Sequence, residues 1–426
     1  MRLPISSPSD ERAAPPDRAA YRGAYGALTA WAALAFAVLL GFSRLSYGLL
    51  LPALRADLTG SYGAFGLVGS ANLAGYLVGT LLSPTLVGRS RERIRLNAAA
   101  LLLTGATMIG SASSVNLAQL GLWRFGVGVC SAVATVLTIA LTLERIAPAE
   151  RGRASGVIWT GGALGVVVSG LLAPLVLGIG IAQSWRVVWV VMGLVGGGAA
   201  WGLARALRAG VPAPALRAAS APVPDRVATF AVLADLLHPA RLLFFTLAYG
   251  LFGGGYIIYF TFFVALVTQR GLPPSQAGLI WATLGAMGAV GGLGWGRVVD
   301  RWPSGFVFAL ALLLGALGAL AVLVPARGVE VLGVLLMGTA FVGAPALMTA
   351  LLRRAVTATR YAASFSLMTA IFASAQMIGP LVGGVVADRY GLAPATALAG
   401  FVLGGAALLA AIHGLRQARP VRSVPR

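Results

Sequence analysis

The feature that most constrains this chain is a succession of long apolar runs, separated by charged or Pro/Gly-rich breaks. A helix needs about 20 mostly apolar residues to cross a bilayer. The first half offers six such runs, Ala27–Leu51, Ala64–Val87, Ile94–Ala112, Leu117–Leu143, Ala154–Gly178 and Trp185–Ala206. The second half offers six more, Leu242–Val267, Ala277–Val299, Gly305–Val324, Val331–Leu352, Ala363–Ala387 and Leu392–Gly414. With 10% charged residues and a mean hydropathy of +0.87, the chain cannot clothe a water-exposed globule. Lipid leaves no solvent partner for the backbone, so the expected fold is an all-α integral membrane protein with twelve spanning helices. The first 26 residues are polar and the first run is too long for a signal core, so it reads as a true span. One Cys and two His exclude a disulfide framework and a structural zinc site, and no metal or cofactor is expected. A net charge of +20 would suggest nucleic acid in a soluble chain. Here the charges lie between apolar runs, so the expected partner is a lipid bilayer and not nucleic acid.

Orientation follows from the basic residues. All 32 are Arg, and 25 of them fall on one side of the bilayer if both termini are cytoplasmic. Only Arg55, Arg186, Arg270, Arg327 and Arg389 fall on the other side. The positive-inside rule then places both termini and the long central loop in the cytoplasm. The remaining two, Arg44 and Arg124, lie within spans 1 and 4.

The halves repeat at an offset of 209 residues: Gly41 and Tyr47 meet Gly250 and Tyr256, Arg145 and Arg151 meet Arg354 and Arg360, and Gly170 meets Gly379. Span 4 does not follow the offset, since Gly128 falls on Met337. The chain is thus read as a cytoplasmic tail (residues 1–26), a six-helix bundle (27–206), a linker (207–240), a second six-helix bundle (241–414) and a C-terminal tail (415–426). Within the linker, Val227, Phe230, Leu233 and Leu237 have helical spacing, which suggests a short helix on the inner membrane surface. A disordered connector is the alternative.

Specific motifs lie on this plan. Leu120-x-x-x-Arg124-x-x-x-Gly128, Gly296-Arg-Val-Val-Asp300-Arg301, Gly379-Pro380-Leu-Val-Gly383-Gly384 and Ser184-Trp185-Arg186 resemble motifs of the major facilitator superfamily. Gly41-Phe-Ser-Arg44-Leu-Ser-Tyr47, Asn72-Leu-Ala-Gly75-Tyr76, Ser169-Gly170-Leu-Leu-Ala-Pro174 and Tyr249-Gly250-Leu-Phe-Gly253-Gly254-Gly255-Tyr256 resemble its YbfB/YjiJ branch. The resemblance covers nearly all of 27–414. It implies two pseudo-symmetric six-helix bundles, a secondary carrier working by alternating access, a functional monomer, and residence in a bacterial inner membrane. It also implies that spans 1, 4, 7 and 10 line a central cavity. In the first-half loop, Thr85 stands where the superfamily motif has Asp, so the usual carboxylate latch is missing there. A second string, Gly384-x-x-x-Asp388-Arg389, falls on the outer side and cannot serve as an inner gate.

Arg44 and Arg124 are the leading binding candidates. A cation in a spanning helix costs about 2.5–3.5 kcal/mol on insertion scales and normally faces a cavity or a partner. Each lies seven or eight residues from the outer end of its span, roughly 10–12 Å deep at 1.5 Å per residue, so the two sit at matching depth. The repeat supplies no counterpart, since position 253 is Gly. No Asp, Glu or His lies in a span interior; Glu144, Glu330 and His413 lie at span ends. Two cations without carboxylates attract an anion, and a guanidinium suits a carboxylate bidentately. The cargo is therefore expected to be a small organic anion. The alternative for either Arg is a structural role on freed backbone carbonyls.

Tyr47, Asn72, Tyr256, Tyr259, Trp281 and Gln376 are further candidates, offering hydroxyls, amides and ring faces; for each, packing or interface anchoring is the competing role. Asp300, beside Arg301 and Gly296, is expected to latch onto Arg151 or Arg153 when the inner side closes, with an ordinary surface pair as the alternative. The Gly pairs, with Gly379 and Pro380 among them, are read as close-packing and bending points. Cys130 is read as a small buried residue.

The chain carries no nucleotide-binding loop. Without a buried carboxylate or His, uniport, anion exchange or co-transport of a weak acid fits better than carboxylate-gated antiport. Three rivals remain: proton-coupled efflux of drugs or amphipathic cations on the same fold, a membrane-embedded enzyme, and an anion channel.

Overall fold

The computed structural model describes residues 18–83, 90–147, 150–181, 183–209, 226–238, 241–302 and 304–418. The first span is one continuous rod made of α1 (Arg18–Phe36), a π-helical stretch (Ala37–Leu45) and α2 (Ser46–Asp57). Then come α3 (Tyr62–Leu82), α4 (Ser90–Ala112), α5 (Leu117–Glu144), α6 (Arg151–Leu177) and α7 (Trp185–Ala209). A short α8 (Arg226–Leu237) precedes α9 (Leu243–Gln269), α10 (Pro274–Arg301), α11 (Gly305–Ala321), α12 (Arg327–Ala355), α13 (Ala358–Tyr390) and α14 (Leu392–Ala418).

Among the described residues, eleven helices are long and apolar enough to cross a membrane. The ninth expected span is α11, with 17 residues. At 1.5 Å per residue it is about 25 Å long, the short end of what can span. Each of the twelve apolar runs therefore holds a helix over most of its described residues. Several helices outrun their apolar segment: α1 begins at Arg18 and α14 reaches Ala418, because Arg- and Ala-rich flanks are good helix formers in water. The helix starts carry local signals. Asn116 accepts from Gln119 N at 2.9 Å while Gln119 Oε1 accepts from Val115 N at 3.1 Å, a reciprocal cap for α5. Ser61 and Ser304 cap α3 and α11, and Pro274 opens α10.

The helices pack mainly in two sets, α1–α7 and α9–α14. Small residues set the close approaches. A Cβ on Gly75 would collide with the Phe125 carbonyl of α5, and one on Gly128 would collide with the Asn72 carbonyl of α3. Exposed Leu81, Leu122, Leu175, Leu194, Phe401 and Leu408 stud the outside of both sets, as a lipid-facing belt requires.

The expected linker (207–240) lies partly outside the described residues, which omit 210–225 and 239–240. The part described is the helix α8, docked on α9 and α13. Over residues 232–237 Val232 and Leu236 are buried, while of the expected stripe Leu233 is half-buried and Leu237 exposed; the side chains of Val227 and Phe230 lie outside the described ones. The helix packs on protein: Thr246 Oγ1 donates to the Leu236 carbonyl at 3.1 Å, and Asp235 pairs with Arg360 and Arg241.

Three seams join the two sets: α3 with α13, α6 with α10, and α2 with α9. The face carrying the chain ends is called the terminal face below, and the opposite one the far face.

Candidate functional site

On the far side of the midplane the two sets meet backbone to backbone. Gly48 of α2 meets the Phe260 carbonyl of α9, Gly66 of α3 meets the Pro380 carbonyl of α13, and Gly170 of α6 meets Gly278 of α10. No Cβ would fit at any of these three crossings. Beyond them, Asp388 at the end of α13 accepts from the Tyr62 and Gly63 amides at 2.6 and 2.8 Å. These amides belong to the first turn of α3, whose free N–H groups and dipole favour an anion. The sequence string around Asp388 therefore serves the far face. The isolated cations of that face are also engaged. Arg186 donates to the Ala112 and Ser114 carbonyls and pairs with Asp57; Arg270 donates to the Val322 and Leu323 carbonyls; Arg55 stacks on Tyr62.

The close glycine crossings named above all lie on the far side. Among the described residues, α5 makes no extended packing against α12 or α13. Asp300 is exposed and forms no ion pair with Arg151 or Arg153. Arg151 Nε donates instead to the Ile146 carbonyl at 3.1 Å, and Arg301 lies over Trp302. Gly296 lies in the last turns of α10 beside them. Glu144 is held by both nitrogens of Arg93, at 3.2 and 2.8 Å.

Where the seams meet lies a cleft of about 10 Å³, room for about one water molecule, lined by Arg44, Tyr47, Asn72, Arg124, Ile257 and Thr261 among others. The two intramembrane arginines expected at matching depth thus share one cleft, but their surroundings differ. Arg44 is half-buried and lies in the π-helical stretch, whose wider turn changes the direction of its side chains. Ser43 Oγ and Ser46 Oγ bond back to the Leu39 and Phe42 carbonyls there. The Arg44 guanidinium carbon sits 3.7 Å from the centre of the Tyr76 ring and close to the Tyr256 hydroxyl. That hydroxyl also accepts from Gln376 Nε2.

Arg124 is 1% exposed. Its guanidinium lies 5.2 Å from the Tyr47 ring centre and 4.7 Å from that of Trp189. Its Nε and Nη1 are buried with no hydrogen-bond partner. No carboxylate pairs with it among the described residues. Ring faces contribute about 2 kcal/mol each when desolvated, against a cost of several kcal/mol for burying an ion, so the cation is only partly compensated. The neighbours' polar groups are engaged elsewhere. Asn72 Nδ2 donates to the Arg124 carbonyl at 2.9 Å, and the Tyr47 hydroxyl donates to the Phe65 carbonyl at 2.6 Å.

The structure thus brings Arg44, Tyr47, Asn72 and Arg124 together, with Tyr256 and Gln376 adjoining on the Arg44 side. It does not bring Tyr259 or Trp281 to the cleft. From α9 the cleft is lined by Ile257, Phe260 and Thr261, whereas Tyr259 is fully buried and stacked on Phe263 at 4.7 Å. Trp281 donates to Ser169 Oγ at 3.0 Å inside the α6–α10 seam. Pro380 lines the cleft, whereas Gly379 packs on Ile257 and Gly254 of α9. Cys130 is only half-buried. Sequence reasoning missed Tyr76 and Trp189 as partners of the arginines. Tyr76 was within reach, lying one turn after Asn72 on the same face of α3. Trp189 was not, because its contact depends on how α7 packs. A larger space of about 510 Å³ lies toward the far face, lined by Pro52, Asp57, Pro174, Trp185, Val264 and Thr268 among others.

Comparison with solved structures gives the same architecture. A bacterial homologue of the human lysosomal transporter Spinster, inward-facing and occupied, superposes with a TM-score of 0.68 at 15% identity, over 93% of this chain and 96% of that one. The nucleoside transporter NupG gives 0.74 at 12% identity, over 93% and 100%. A D-xylose-proton symporter gives 0.71 at 16% identity, over 91% and 96%. At these identities the likeness shows the fold: two six-helix bundles of the major facilitator kind. A family profile described as the uncharacterised MFS-type transporter YbfB matches residues 36–412. The chain therefore belongs to the YbfB family of MFS-type transporters, and is a multi-pass membrane carrier of small molecules rather than an enzyme.

Proposed function

We propose that the cargo is a small organic anion, taken up at the Arg44 end of the central cleft. The observation that carries this reading is the pair of intramembrane arginines on one cleft whose lining contains no acidic residue. Arg44 meets a carboxylate directly, since it is the half-buried one and can present two parallel N–H groups. Tyr256, with Gln376 behind it, adds a hydroxyl on the same side. Arg124 adds a second positive charge at the buried end. Asn72 and Tyr47 act by holding Arg124 and α3 in place.

The terminal face is the cytoplasmic one in this reading, supported by the concentration of Arg on that side. The protein then sits in a bacterial inner membrane with both termini inside and works as a monomer. Closure of the terminal face brings Asp300 toward Arg151 and Arg153, with bending at Gly379 and Pro380.

One observation favours the alternative cargo, an amphipathic cation. Tyr249, Phe252, Tyr256 and Phe372 form a stacked aromatic wall, with Tyr249 and Phe372 centroids 4.7 Å apart. Ring faces attract cations, but two fixed guanidiniums beside the wall oppose one. Thermal unfolding of the purified protein with carboxylates or with amphipathic cations separates the two. A ligand at about 100 times its Kd adds about 2.7 kcal/mol. Stabilisation by carboxylates that is lost in Arg44→Gln supports the anion reading. Stabilisation by cations alone, equal in both proteins, refutes it.

A further inference from the structure

We propose that the buried end of the cleft is a binding site for one small monovalent anion of the halide class, held by Arg124 and separate from the place where Arg44 meets the cargo. The first observation is the state of Arg124. It is 1% exposed, and its Nε and Nη1 lack any hydrogen-bond partner. A buried cation in that condition is completed by an anion. No neighbouring side-chain oxygen reaches those two nitrogens; Asn72 Nδ2 and the Tyr47 and Thr261 hydroxyls spend their N–H and O–H groups on backbone carbonyls.

Size is the second observation. The cleft of about 10 Å³ accommodates about one water-sized particle. A halide is little larger than water and enters with a small shift of side chains. A carboxylate, with three heavy atoms before its carbon skeleton is counted, does not enter in this conformation. Third, the Arg124 guanidinium carbon lies over the Tyr47 and Trp189 rings. Ring faces repel anions, so an ion is directed away from these rings, to the unpartnered N–H groups. Arg44 across the cleft supplies a second positive charge, and no lining residue is acidic. The two arginines therefore divide the work. Arg124 holds the small ion at the buried end, and Arg44, half-buried among Tyr76 and Tyr256, remains for the cargo.

The test is thermal unfolding of the purified full chain in sulfate salts, with chloride or bromide substituted at constant ionic strength. Halide is expected to raise the Tm saturably in wild type and in Arg44→Gln. Arg124→Gln is expected to lose the shift, and Arg124→Lys to keep a smaller one. A wild-type Tm indifferent to halide overturns the proposal, as does an equal shift in Arg124→Gln. Should Arg124→Gln fail to fold, bromide-soaked wild-type crystals decide: anomalous density beside the Arg124 guanidinium supports the site, and its absence overturns it. Benzoate serves as the cargo probe in the same assay. A halide response without a carboxylate response refutes the cargo reading alone, and the reverse refutes this proposal alone.

Discussion

Replacing Asp388 with Ala removes the one carboxylate that bridges α13 to the start of α3 at the far face. Its two oxygens accept from the Tyr62 and Gly63 amides at 2.6 and 2.8 Å, across a gap of more than 300 residues in sequence. The loss is that of a helix cap, about 1 kcal/mol. Attraction to the helix dipole adds about 0.3–1 kcal/mol at an exposed site. Solvent screening limits the total, so about 1–2 kcal/mol is expected, acting only on the conformation in which the far face is closed. That amounts to roughly a five- to thirtyfold shift toward far-open molecules. Because Cys130 is the sole cysteine, Cys130→Ser provides a background in which a single new cysteine at Thr261 reports on the far-face seam. In membrane vesicles, its rate of labelling by an impermeant maleimide added from the far side should rise by that factor in Asp388→Ala. Asp388→Asn, which keeps an acceptor oxygen, should fall between. An unchanged labelling rate in Asp388→Ala, with the protein folded, would refute the assignment of Asp388 as a far-face clasp.

Gly48→Val should act in the same direction more strongly, since its side chain meets the Phe260 carbonyl; the same labelling rate should rise beyond that of Asp388→Ala, with a lower Tm from overpacking of about 1–3 kcal/mol. No carboxylate or imidazole lines the cleft, so the halide-induced Tm shift should stay flat between about pH 5 and 8, and a sigmoidal change would reveal a titrating group there. On the linker helix, Asp235→Ala breaks largely exposed ion pairs and should cost less than about 1 kcal/mol in unfolding experiments. Leu236→Ala, by contrast, empties a fully buried position and should cost about 2–5 kcal/mol.

The span plan, the all-helical fold and the superfamily were legible in the sequence because the bilayer imposes a local rule: each segment must be apolar over its own length and satisfy its own backbone. The family profile and the helices follow that plan closely. The two arginines stood out for the same reason, as cations where none is tolerated without purpose. Tertiary structure alone decided what each one touches. The π-helical stretch that aims Arg44, and the α7 packing that sets Trp189 against Arg124, leave no mark in hydropathy. Tyr259 and Trp281 offered the same hydroxyl and ring chemistry as Tyr256, and only their packing, on Phe263 and on Ser169 of α6, keeps them from the cleft. From the sequence Asp388 was excluded only as an inner gate; its far-face role was hidden because its partner is an amide pair at the far end of the other half. Burial in a bilayer is a property of each segment by itself, whereas rotation and contact belong to pairs of helices distant in sequence, and only the packed molecule specifies them.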